Sequence, residues 1–184
     1  MRILGAFNLV VLLSTLAVDS QMGTINSPRS GRIFQINISN GGVPKRAVPS
    51  AYISINGLVG DLQRNLQVHG GPDRAVCIYS LERIQSLQAE GHPIYPGAIG
   101  ENLTISGLDW PIVSLESRFV IGKDVILQVT GFTSPCQSIV GAFSDQHVDR
   151  VSQAGCPGWS RVYAQVLFPG TVRTADIVLL ENHL

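Results

Sequence analysis

At 184 residues, with 45% hydrophobic and 14% charged residues, the chain is long enough for one domain with a sizeable core and short for two. Its 13 Lys and Arg balance 13 Asp and Glu, so the formal net charge is zero, which removes any general pull on nucleic acid and excludes that partner class. The 19 glycines and 10 prolines suit short strands joined by turns, and the 3 cysteines (Cys77, Cys136, Cys156), with no Cys-x-x-Cys pair, make neither a disulfide framework nor a structural zinc site.

The chain opens with Met1 and Arg2, then an apolar run over residues 3–18 that is interrupted by Asn8, Ser14 and Thr15. Size and charge order match a secretory signal, while a spanning helix needs about 20 apolar residues. The stretch Val18-Asp19-Ser20-Gln21 lacks a small-x-small cleavage pattern, and Met22 offers a second start. Three readings stand: translation from Met22, a signal peptide, or a membrane anchor. Residues 1–21 are therefore set aside as leader-like and 22–30 as a polar lead-in, leaving 31–184 as the domain. Three unpaired thiols favour the cytoplasm; a genuine leader would place the protein outside the cell or at a membrane.

Residues 32–38 alternate apolar and polar, the period of a half-buried strand, and end at Ser39-Asn40-Gly41-Gly42. A second strand is expected over 50–55. Residues 75–79 form a continuous apolar run, expected as a strand buried on both faces. Over 81–90 the rhythm changes to helical spacing, with Ser80 as N-cap and Gly91-His92-Pro93 as the stop. Strands follow at 118–121 and 125–130 around the turn Gly122-Lys123-Asp124, then short helices after Cys136 and over 146–153. Residues 161–168 alternate with Val162, Ala164, Val166 and Phe168 on one face, and 176–180 supply a last strand. The fold class is mainly β, a barrel with a few short helices.

Three stretches carry chemistry. In the first, Asp61 precedes His69-Gly70-Gly71-Pro72-Asp73-Arg74. Adjacent glycines let backbone approach a ligand, His69 titrates near neutrality, and Arg74 can grip a carboxylate or phosphate through paired hydrogen bonds. A surface turn with Asp61 or Asp73 paired to Arg74 is the plainer alternative. In the second, Glu101 and Asn102 lie between a glycine turn and an apolar strand, so one points inward; a buried Glu101 needs a partner, and Arg74 is the expected one. In the third, Thr133-Ser134-Pro135-Cys136 follows a strand, so the thiol sits at the strand's end. A helix starting just after it would favour the thiolate, the soft ligand that molybdenum or sulfur transfer requires. Alone, a single cysteine reads as an inert buried residue. Cys77 reads as core, Cys156 lies in a turn of open role, Trp159 with Ser160 and Arg161 either lines a pocket or anchors the core, and His92 and His147 read as surface residues.

Together these stretches resemble the MOSC domain family, named after the molybdenum cofactor sulfurase C-terminal region, and most closely its stand-alone bacterial branch. The resemblance rests on 37–45 (NISNGGVPK), 57–61 (GLVGD), 69–76 (HGGPDRAV), 79–82 (YSLE), 97–104 (GAIGENLT) and 134–136 (SPC). It implies a β-barrel holding a molybdopterin-type cofactor, with Cys136 as the molybdenum ligand. His69, Arg74 and Glu101 would be pocket residues acting with Cys136 in catalysis; Asp61, Gly70, Gly71 and Asn102 would help hold the cofactor. The implied reaction removes the N-bound oxygen of purine-like bases or amidoximes, with electrons from a separate donor protein. The alternative is a non-catalytic carrier of molybdenum cofactor or sulfur. Thr133 stands where many relatives carry arginine, which removes a fixed positive charge. No pyridoxal phosphate is expected on this chain alone, and neither an iron–sulfur cysteine set nor a dinucleotide fingerprint is present.

Overall fold

The computed structural model describes residues 28–62 and 70–182. The leader-like segment and His69 lie outside the described residues, so the expectations placed on them do too. Among the described residues no helix is long and apolar enough to cross a membrane.

Among the described residues, eleven strands carry the fold: β1 (Ser30–Ile38), β2 (Arg46–Val48), β3 (Ser50–Ser54), β4 (Gly57–Leu58), β5 (Val76–Ser80), β6 (Leu103–Ser106), β7 (Arg118–Ile121), β8 (Val125–Phe132), β9 (Val162–Phe168), β10 (Gly170–Arg173) and β11 (Ile177–Glu181). The large sheet runs β11-β7-β8-β9-β5-β6-β1-β2, and β11 also pairs with β1. That pairing closes a barrel of seven strands, with β2 hydrogen-bonded to β1 outside the closure; β10, β3 and β4 form a separate small sheet. The mainly β barrel expected from composition and turn spacing is therefore the observed architecture. Closure leaves the barrel wall no exposed edge.

Burial follows the alternation read from the sequence, except where bulges shift its phase. On β1 the inward residues switch from Ile33 to Ile36, and the ladder to β6 slips between Ile33 and Gln35. One extra residue changes which side faces the core. The same effect corrects the reading of 161–168. Val162 and Ala164 are fully buried, but the β8–β9 register slips between Ile126 and Leu127, and Phe168 is turned out to 58% exposure. β5 is buried at every position, as its unbroken apolar run requires. It pairs in parallel with β6, and the connection between them contains α1 (Leu81–Ala89). The Ser80 hydroxyl caps α1 by accepting from Arg83 N, while Ile84 and Leu87 pack inward. The 146–153 helix reduces to a 3-10 turn, Val148–Val151. Strands β2, β4 and β10 are too short to carry a period, and the sequence did not mark them.

Candidate functional site

Residues from β5, the 97–102 turn and the loop after β8 converge on a cleft of about 390 Å³. Its floor is set by Asn102, which is 3% exposed. The Asn102 amide donates to Asn37 O (3.2 Å) and Asp61 Oδ2 (2.9 Å), and its oxygen accepts from Cys77 N at 3.1 Å. Asp61 accepts from Ser39 N at 2.7 Å and forms a buried ion pair with Lys45. The alternative pairing of Asp61 with Arg74 is thus replaced by Lys45.

Two glycines explain how the 97–102 turn lies so close to the segment before β2. Gly97 and Gly100 have φ of 90° and 93°, and a Cβ would stand 2.6 Å from Lys45 O at the first and 2.9 Å from Val43 Cγ1 at the second. Glu101 enters beneath this turn and is completely buried. It accepts from Gly97 N at 2.6 Å and from the Thr104 hydroxyl at 3.1 Å, while Oε2 has no hydrogen-bond partner. Burial pushes its carboxyl above the ordinary range, against the pull of these bonds and of Arg161. The expected Glu101–Arg74 pair is not formed, because Arg74 belongs to the rim, where its guanidinium lies 5.8 Å from the centre of the Tyr163 ring. Glu101 lies under the cleft rather than on its lining.

Arg161 is the cation that acts on this interior. It is 7% exposed, donates to Ile99 O, and keeps Nε buried without a partner while lining the cleft. Its carbonyl accepts from Thr133 N at 2.9 Å, and Thr133 itself is buried. Arg161, directly before β9, is thus held by its backbone beside Thr133, directly after β8. Sequence reasoning named Arg161 only as a flank of Trp159 and gave Lys45 no role. The available signal was a basic residue next to a strongly alternating strand.

The rim is built from loops. Pro135 precedes Cys136, whose extended backbone leads into the 3-10 turn Gln137–Ala142. The thiol is exposed and lies 2.8 Å from the Ser138 hydroxyl. Gly70 and Gly71, with φ of 98° and 78°, lead into the turn Pro72–Arg74. Gly70, Arg74, Asn102 and Cys136 all line the cleft; Gly71 does not. Among the described residues the charged side chains lining it are all basic: Lys45, Arg74 and Arg161. Also among the described residues, no group of three or more His, Cys, Asp or Glu side chains converges.

Cys77 reaches the same cleft from β5, yet burial pushes its thiol up to about 11, so it stays protonated. The core reading of Cys77 holds for its burial. Trp159 packs against the core between Arg83 and Arg150, whose guanidiniums lie 4.3 and 3.5 Å from its ring centre, and does not line the cleft. His92 corrects the surface reading: its side chain is 7% exposed, packs edge-on against Phe143 and accepts from Ser144 N. His147 is exposed as expected.

A family model described as the MOSC domain matches residues 65–179. The chain is 34% identical over 145 residues to the uncharacterized protein YflK of Bacillus subtilis, covering 77% of this chain and 64% of that protein. It is 27% identical over 181 residues to a Gibberella moniliformis protein named "Reductase", covering 89% of this chain but 32% of that one. The chain thus spans less than two thirds of the length of either relative. Among solved structures, the YuaD protein of Bacillus subtilis superposes with a TM-score of 0.67 at 20% identity, over 84% of this chain and 97% of YuaD, a likeness of fold.

Proposed function

Because the chain belongs to the MOSC domain family, we propose that it binds a molybdopterin-type molybdenum cofactor and reductively dehydroxylates N-hydroxylated bases or amidoximes. The carrying observation is one exposed thiol, Cys136, on a cleft whose described charged lining is wholly basic. The protein named as a reductase among the relatives agrees with an oxidoreductase.

The residues present fit such a group. Arg161 lines the cleft as a largely buried cation, a group with which an anionic ligand would pair. Lys45 and Arg74 add positive charge around the same space, and Gly70 leaves room for close approach. When bound, the cofactor supplies the two-electron chemistry that removes the N-bound oxygen. Cys136 would be the protein's metal ligand, with the Ser138 hydroxyl orienting its sulfur. Val43, Ile99 and Ile139 give the cleft its apolar surface. Tyr163, which also lines the cleft, is pushed up to about 12 mainly by burial and keeps its proton. Electrons would arrive from a separate donor protein.

The test is molybdenum content of protein purified from a cofactor-making host. Near-stoichiometric metal in the wild type, lost in Cys136→Ser and kept in Cys77→Ser, is expected. Equal metal in wild type and Cys136→Ser would remove the ligand assignment. The exposure of Cys136 also suits a carrier that hands cofactor or sulfur to another protein. Bound metal without turnover of benzamidoxime, given a chemical electron donor, would favour that second reading.

A further inference from the structure

On the outside of the barrel wall, next to the thiol cleft, lies a second cleft of about 670 Å³. On β8 and β9 its floor is formed by Gln128, Thr130, Tyr163 and Gln165, which alternate with the buried residues Leu127, Val129 and Ala164, and Val129 also reaches it. Gln128 and Gln165 stand opposite each other in the ladder and share a hydrogen bond of 3.0 Å. The register slips between Val129 and Gly131, leaving Thr130 as the extra residue. The Thr130 hydroxyl donates to Asp73 O, which ties the Pro72–Arg74 turn to the wall and sets one side of the cleft. Another side is Leu115 and Glu116; Glu116 holds a φ of 67° and donates its N–H to Val129 O at 2.9 Å.

The two clefts share Arg74, Ser134 and Tyr163, and Ser134 is two residues from the Cys136 thiol. Their charges differ. The thiol cleft presents only cations among its described charged residues, whereas the second adds Asp73 and Glu116 to the shared Arg74. A wall of two carboxylates and a pair of primary amides disfavours an anion and suits a planar ligand that donates hydrogen bonds. On the reductase reading proposed above, the substrate must lie beside the Cys136 cleft without competing for its cationic groups.

We propose that this second cleft is the substrate-recognition subsite, taking an amidoxime or N-hydroxylated amino-base with its N–H edge toward Asp73 and Glu116 and its N–O end toward Ser134. Reduction then breaks the N–O bond, consumes two electrons from the donor protein and two protons, and releases water and the amidine. The amidine is a cation at neutral pH, so the carboxylates hold the product at least as firmly as the neutral substrate. Product inhibition that weakens with added salt follows.

Titration calorimetry on the full chain, purified from a cofactor-making host, tests this with benzamidoxime, benzamidine and benzoate. Both benzamidine and benzamidoxime are expected to bind, with Glu116→Gln and Asp73→Asn each weakening them by about ten-fold, while neither substitution weakens benzoate. No binding of benzamidine to the wild type, or an affinity unmoved by both substitutions, overturns the subsite. Molybdenum content is measured on the same samples. Metal-free protein without turnover overturns the reductase reading and leaves the benzamidine result to decide the subsite by itself.

Discussion

Asn102 and Cys136 line the same cleft from opposite kinds of structure. Asn102 is 3% exposed, sits where the 97–102 turn enters β6, and has every side-chain polar atom hydrogen-bonded. Cys136 is exposed on a loop, with its thiol against the Ser138 hydroxyl. The floor fixes geometry, because groups buried together in low dielectric are costly to separate. The rim leaves its reactive group open, where a ligand can reach it. Stability and chemistry should therefore come apart under mutation, with floor changes moving the fold and rim changes moving the function.

The sharpest way to break this comparison is Asn102→Leu. It strands Cys77 N and Asn37 O, while Asp61 Oδ2 keeps Lys45, and should cost about 3 kcal/mol in urea unfolding. Lys45→Met comes next. It leaves the Asp61 side chain, 4% exposed, without its cation, for an expected loss of about 3 kcal/mol; adding Asp61→Leu to it should recover part of that loss.

Glu101 sharpens the comparison through pH. Its carboxyl is raised from the ordinary 4.5 by burial, so the folded state binds its proton more tightly than the unfolded chain does. That contribution is fully present below the unfolded value and is lost as pH rises through the folded one, at roughly 1.4 kcal/mol per unit of elevation. The melting temperature of wild type relative to Glu101→Gln should fall as pH rises above about 4.5, until the carboxyl is ionised in the folded state as well. A pH-independent difference would show that Glu101 is not held in this way. The smallest effect on stability belongs to the rim: Cys136→Ser should stay within about 0.5 kcal/mol of wild type while losing bound molybdenum. A destabilisation matching that of Asn102→Leu would erase the distinction between floor and rim.

Several features follow from local pattern alone. The run at β5, the Ser80-capped helix and the β7–β8 hairpin were legible because periodicity, capping and turn chemistry act over a few residues. The motif clusters also brought Asp61, Gly70, Arg74, Asn102 and Cys136 forward as candidates, and the fold places these at one cleft or directly behind it. Phe168 and Phe34 resisted, since a bulge is set by the partner strand and reverses the faces that follow it. Partner choice resisted as well. Sequence could state that a buried Glu101 needs hydrogen bonds, but its partners come from Gly97 and Thr104, and the pairing of Asp61 with Lys45 depends on how the 97–102 turn packs against residues 43–45. Local pattern specifies a mainly β chain with a cysteine at a strand's end and glycine-rich turns around it. That Arg161 lines the same cleft as Cys136 follows from the fold, because barrel closure brings strands distant in sequence side by side.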